Sequence, residues 1–234
     1  EAQNLALQKL DELKSDFVAL VSHELRAPLT NISGGIELLL QARQPLPERP
    51  RQTLEVVQAE IVRLNRFVET ILDLSALDAG RLPLYPGPLL LCTVMDSLGK
   101  TFAHQPGADR IQWKIPDDLP PVEADEKALG SVLFHLLDNA LKYAPQGDII
   151  VSASAVEEMV CIQVTDSGPG IDAEALPLIF DRFYRRDSSD ARAVYGHGLG
   201  LHIVRRLVQA MNGQVQAANR PEGGAIFTVW LEKA

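Results

Sequence analysis

The 234-residue sequence predicts two domains of different class: an all-α antiparallel helical hairpin that pairs with a second copy into a four-helix bundle, then an α+β sandwich. Three observations carry this. In the first third of the chain, apolar residues recur at alternating spacings of three and four, the signature of helices packed along a seam. From Asp78 to Pro88 the stretch DAGRLPLYPGP breaks that periodicity with glycines and prolines. Beyond it, strand-like alternation and amphipathic helical stretches are mixed without strict βαβ order, which puts helices on one face of the sheet. The boundaries that follow are 1–78 for the hairpin, 79–88 for a linker and 89–234 for the sandwich.

In the hairpin, Leu10, Leu13, Phe17 and Leu20 make a coiled-coil seam, and apolar residues resume at Leu29, Ile32, Ile36 and Leu39. One helix is expected over about 2–42, bent near Pro28, because an interior proline lacks the N–H its turn needs and clashes with the preceding carbonyl. QPLPERP, ending at Pro50, reads as a proline-rich turn that no helix continues through. Leu54, Val57, Ile61, Leu64, Val68 and Ile71 then mark a second helix. Each helix carries more apolar face than one partner covers, so a homodimer is expected. In the second region LLLCTVMDSLGKTFAHQ and DEKALGSVLFHLLDNALKYA read as helices. RIQWKIP, GDIIVSASA, MVCIQVTD, GQVQAANR and GAIFTVWLE read as strands, with a further helix from about Leu199 to Met211.

Composition narrows the function. With 46% hydrophobic and 23% charged residues the chain is globular, and a net charge of −9 argues against nucleic acid as a partner. Cys92 and Cys161 are too few and too far apart for a metal cluster or disulfide framework, and fit buried small hydrophobes in a reducing compartment. No apolar run reaches the roughly 18 to 20 residues of a membrane span. The chain opens at Glu1, without Met and already in a helical pattern, so it is expected to be a cytoplasmic fragment of a longer protein, whose missing part is compatible with a membrane anchor.

Several motifs carry chemistry, each beside a plainer reading. SLGKT at Ser97–Thr101 lacks the glycine a P-loop requires, since Val94 stands there. YGHGLGLHIV offers Gly196, Gly198 and Gly200 before an apolar helix but has Leu201 where a dinucleotide fingerprint needs glycine. It is either a phosphate loop at a helix N-terminus or an ordinary loop. DSGPGI puts Asp166 directly after a strand, ready to accept from a base amino group, or to form a simple Asx turn. HLLDNALKY puts Asp138, Asn139 and Lys142 on the polar side of a helix, either a solvated face or a magnesium and phosphate site.

Taken in order, FVALVSHELRAPLT, HLLDNALKYAP, DSGPGI, FDRFYR, GHGLGL and GGAIFTVWL resemble the transmitter region of sensor histidine kinases of two-component systems, over nearly the whole chain. The resemblance implies a phosphoacceptor hairpin and a Bergerat-fold ATP-binding domain. It implies that His23 takes the γ-phosphoryl of ATP, with Glu24 polarising its imidazole, and passes it to an aspartate on the receiver domain of a response regulator. Asn139 becomes the Mg²⁺ ligand, Lys142 a phosphate partner and Tyr143 a neighbour of the nucleotide. Asp166 reads adenine beside Gly168 and Gly170, while Gly196, Gly198, Leu199 and Gly200 border the triphosphate. Arg185 or Arg186, in the lid that follows Phe180, Phe183 and Tyr184, meets the γ-phosphate. An upstream sensor or relay domain is expected to supply the signal. His104, His135, His197 and His202 are read as structural.

Two positions depart from the family pattern: His135 stands where the helix motif commonly begins with Asn, and Ala27 where Thr or Asn often orients the water that dephosphorylates the regulator. Ala27 therefore implies weak phosphatase activity, and Pro28 a mechanical joint beside His23. The competing readings are a nucleotide-binding scaffold without phosphorylation and another ATPase of the same fold. The second leaves the hairpin and SHELRAPL without an explanation.

Overall fold

The computed structural model describes residues 25, 29–39, 47–103, 105–184 and 198–234, in two compact units that divide between Leu82 and Pro83. His23, Glu24, Ala27, Pro28, His104, Arg185, Arg186, Gly196 and His197 lie outside the described residues.

In the first unit, residues 29–39 are helical (α1) and Glu48–Asp78 form a 31-residue helix (α2). α2 starts earlier than the proline-rich stretch suggested. Pro47 sits at its N-cap and Pro50 lies inside the first turn. That turn has no intrahelical use for its N–H groups, so proline is tolerated there, and the expectation that no helix runs through Pro50 is corrected. The C-terminus closes with Gly80 at φ 63° and its N–H bonded to the Leu77 carbonyl. Leu29, Ile36 and Ile61 form a buried cluster against which Leu54 packs. Leu54, Ile61 and Val68 are seven apart, on one stripe of α2, and Val68 is buried too. A second stripe is left open: Val57 and Leu64 are exposed, as are Ile32, Leu38 and Leu39 of α1.

In the second unit, β1 (Gly87–Leu89) pairs antiparallel with β3 (Val122–Ala124), and α3 spans Leu91–Phe102. A five-stranded sheet has the order β2-β4-β5-β7-β6, from β2 (Ile111–Lys114), β4 (Ile149–Val156), β5 (Met159–Thr165), β6 (Gln214–Asn219) and β7 (Ala225–Glu232). β2 and β4 run parallel and every other neighbouring pair is antiparallel. Register aligns Val151 with Val164 and Phe227, and Ala153 with Ile162 and Val229. All six are buried, so these rows form the covered face of the sheet. α4 (Glu126–Tyr143) brings to the core Leu129, Val132, Leu133, Leu136 and Leu137, none with any exposed surface. α5 (Gly200–Ala210) adds Ile203, Val204, Leu207 and Val208.

Two further details differ from the sequence reading. β3 was not foreseen, because three residues are too short for periodicity to register. Cys92 is exposed rather than buried: Leu91, Val94, Leu98 and Phe102 set the buried stripe of α3, and position 92 falls beside it. Cys161 is buried, and that burial raises its thiol pKa. SLGKT lies inside α3, so it cannot form a phosphate-wrapping loop.

The start of α4 is tied down by one carboxylate. Asp125 accepts the Ala128 N–H through Oδ1 at 2.9 Å as an N-cap, and the Tyr85 N–H through Oδ2 at 2.9 Å. The segment entering β1 is thereby fastened to the helix that carries Asn139.

Candidate functional site

Four chain segments meet at one end of the second unit: the last turns of α4, the loop after β5, the β6–β7 turn and the start of α5. Asp166 directly follows β5 and is only 6% exposed. Its backbone N–H bonds to the Ala225 carbonyl at 3.0 Å. Its Oδ1 accepts from Gly168 N–H at 2.8 Å and from Ala225 N–H at 3.2 Å. Among the described residues no hydrogen bond falls on Oδ2, which leaves one oxygen of a buried carboxylate for a ligand donor.

Glycine is required around it. A Cβ on Gly168 would stand 3.0 Å from Asp166 Oδ1 and from the Tyr143 carbonyl, so this loop lies directly on the C-terminus of α4. The same end is braced by Arg110, whose Nη1 donates to the carbonyls of Ala144 at 2.6 Å and Gly147 at 2.9 Å. Ser167 Oγ donates to the Asp148 carbonyl at 3.2 Å.

Asn139 is half-buried, and its carboxamide makes no hydrogen bond with any described residue. One turn before it, His135 stacks edge-on with Phe134 and lies against Gly200, where a Cβ would meet its Nδ1 at 3.3 Å. That contact sets the α5 N-terminus beside the Asn139 face of α4. Lys142 is exposed and bonded to Asp138 one turn back. Tyr143 is half-exposed at the helix end.

Leu199 is buried and caps α5. Gly198, at φ 67°, is forced by its neighbours: a Cβ would come within 2.7 Å of the Phe183 backbone, whose N–H donates to the Gly198 carbonyl at 2.9 Å. Phe180 is buried and meets Phe227 edge-on at 6.5 Å, an anchor in the core. His202 Nδ1 bonds to the Phe180 carbonyl at 3.0 Å, in keeping with a structural role. Asp181 pairs with Arg205 at 3.1 Å.

The structure thus brings together Asn139, Tyr143, Asp166, Gly168, Gly198 and Gly200 from three separate motifs. Sequence reading missed Arg110, Asn219, Arg220 and Ala225. The bonds of Arg110 reach 34 and 37 residues along the chain and leave no local signal. Asn219 reads only as part of the strand GQVQAANR, with no role beyond it.

A family described as histidine kinase-, DNA gyrase B- and HSP90-like ATPase matches residues 124–234, the stretch that contains Asn139, Asp166 and the start of α5. The His Kinase A (phospho-acceptor) domain matches residues 13–80. The signal transduction histidine-protein kinase BaeS of Escherichia coli (strain K12) is 34% identical over 229 residues, covering 96% of this chain and 48% of that protein. The chain belongs to the histidine kinase family. Another histidine kinase relative, the sensor histidine kinase TmoS of Ectopseudomonas mendocina, is 34% identical over 230 residues, 96% of this chain and 23% of TmoS. The chain therefore spans about half or less of the length of these two curated relatives. Among solved structures, full-length ShkA in complex with AMPPNP superposes with a TM-score of 0.73 at 28% identity, over 94% of this chain and 46% of that one. The histidine kinase AdeS of Acinetobacter baumannii shares the fold, with a TM-score of 0.60 over 90% of this chain and 98% of that one, at 24% identity. No helix among the described residues is long and apolar enough to cross a membrane, and no cluster of three or more His, Cys, Asp or Glu side chains gathers there to hold a metal.

Proposed function

We propose that the chain is the transmitter of a two-component sensor: it binds ATP with Mg²⁺, phosphorylates His23, and passes the phosphoryl group to an aspartate on the receiver domain of a response regulator. The observation that carries the reading is the buried Asp166 carboxylate, with Oδ1 consumed by two backbone N–H groups and Oδ2 left over. A purine amino group is the donor such an acceptor suits, and the missing Cβ of Gly168 lets the loop that carries the carboxylate pack on the end of α4.

The remaining residues fit a triphosphate. Asn139 offers a carboxamide oxygen without another partner among the described residues, as a hard cation prefers. The cation, when bound, neutralises charge on the phosphates. Lys142 is held by a surface pair worth at most about 1 kcal/mol, so it can turn to a phosphate at little cost. Tyr143 packs beside the nucleotide, Gly196, Gly198, Leu199 and Gly200 border the triphosphate, and Arg185 or Arg186 meets the γ-phosphate. Glu24 accepts the imidazole N–H of His23, so that the other ring nitrogen attacks phosphorus while the bond to the ADP oxygen breaks. Positioning and charge neutralisation supply the rate.

The open stripe of the hairpin, with Leu38 at 74% and Val56 at 64% exposure, supports a homodimer through residues 1–78. ATP and a receiver-domain partner put the working site in the cytoplasm, downstream of a sensor or relay segment. Incubation with γ-labelled ATP and Mg²⁺ tests the reading. Acid-labile, base-stable label that disappears in His23→Ala and Asn139→Ala is expected; nucleotide binding with no label on the wild-type chain refutes kinase activity and leaves a scaffold.

A further inference from the structure

The loop that presents Asp166 does not hold itself. A recognition loop left free must be ordered when its ligand arrives, and that ordering subtracts from affinity. Here two adjacent residues, Asn219 at the end of β6 and Arg220 directly after it, grip the loop at its two ends. At the far end, the Asn219 carboxamide takes both backbone polar groups of Ile171: Oδ1 accepts its N–H at 2.7 Å and Nδ2 donates to its carbonyl at 2.6 Å. At the near end, Arg220 Nη1 donates to the Asp166 carbonyl at 3.1 Å. Between the grips, Gly170 at φ 77° sits so near Asn219 that a Cβ would stand 2.8 Å from its Oδ1. Opposite Asn219, the first residue of β7 is Ala225, whose N–H occupies Asp166 Oδ1.

We infer that Asn219 and Arg220 are positioning residues for base selection, clamping the 166–171 loop so that the free oxygen of Asp166 faces the amino group of the purine. They act by holding the carboxylate in one orientation before the nucleotide arrives. The inference rests on the reading of Asp166 as the base-reading group, and its test separates the two.

Equilibrium binding of ATP and of inosine triphosphate, which carries an oxo group in place of the 6-amino group, is measured on the full chain and its variants. The wild type should prefer ATP by at least about tenfold, since a site built to accept from an amino group rejects the analogue without it. Asn219→Ala and Arg220→Met should each cut that preference at least about fivefold, leaving inosine triphosphate affinity within about twofold, because only the amino contact depends on the clamp. Arg220→Lys, which keeps a donor, should restore most of the preference. Asn219→Asp, which keeps the acceptor for the Ile171 N–H and loses the donor, should fall between wild type and Asn219→Ala. Tryptophan fluorescence during unfolding checks that each variant folds; should Asn219→Ala fail, Asn219→Asp and Arg220→Met decide. Unchanged preference in the folded variants, or equal weakening of both nucleotides, overturns the inference. A wild type that binds both nucleotides equally instead overturns the role given to Asp166, and the inference falls with it.

Discussion

Asp166 does two jobs with two oxygens, and two substitutions separate them. Asp166→Ala removes both. The Ala225 N–H it leaves behind belongs to a residue only 4% exposed, so its lost partner costs about 1–3 kcal/mol. The Gly168 N–H is half-buried and water can partly replace its partner, which adds about 1 kcal/mol. A total near 3 kcal/mol should lower the melting temperature of a unit of this size by roughly 6–12 °C. Asp166→Asn keeps an oxygen at the Oδ1 position and nearly the same volume, so its stability loss should stay under about 1 kcal/mol. At the Oδ2 position, however, it presents an amide donor to a base amino group, which is also a donor. ATP affinity should therefore fall at least about a hundredfold in Asp166→Asn while the fold survives. The assay is urea unfolding followed by tryptophan fluorescence, paired with ATP titration. Both tryptophans, Trp113 in β2 and Trp230 in β7, lie in the second unit, so the signal reports that unit alone. An Asp166→Ala protein as stable as wild type would refute the energetic role of Oδ1. Wild-type ATP affinity in Asp166→Asn would refute base reading by Oδ2.

Neighbouring glycines should respond unequally to alanine. Gly223 and Gly224 both have positive φ, 97° and 91°, but a Cβ on Gly223 meets nothing within 4 Å while one on Gly224 would lie 2.0 Å from the Asp166 carbonyl oxygen. Gly223→Ala should cost only the backbone strain of about 1–3 kcal/mol, whereas Gly224→Ala should cost more and weaken ATP binding as well; denaturant midpoints and ATP titration compare them. Cys92 should react with a thiol reagent within minutes, and Cys161 only on unfolding, as timed thiol titration with and without urea will tell. Because burial raises the Cys161 pKa, the unfolded chain loses that proton first as pH rises. Its contribution to stability is thus complete below the ordinary thiol range and shrinks above it, an effect that Cys161→Ala should abolish in pH-dependent unfolding. Ala27→Thr should raise the rate at which the chain dephosphorylates its regulator, followed as loss of label from the phosphorylated receiver domain; brisk dephosphorylation by the Ala27 protein would argue against the proposed deficit.

Much of this protein is written locally. The three-and-four spacing from Leu54 to Ile71 predicts α2, and the alternation in IIVSASAV and MVCIQVT predicts β4 and β5, because each pattern reports a face that one element must bury. The order of SHELRAPL, HLLDNALKY, DSGPGI and GHGLGL marks the family and the residues to watch. Where the sequence reading slipped, the cause was context: Pro50 fits a first turn that needs no N–H, and Cys92 sits one step off the buried stripe of α3. What the sequence alone determined is therefore most of the elements, their order and the family they belong to. Only the tertiary structure decided which oxygen of Asp166 is doubly spent and which is free, because Ala225, the second donor beside the local Gly168 N–H, lies 59 residues away and arrives through the β5–β7 pairing. The same holds for Asn219, 48 residues from the backbone it clamps. Periodicity records which side of an element is buried; only the packed sheet determines which distant atoms meet there.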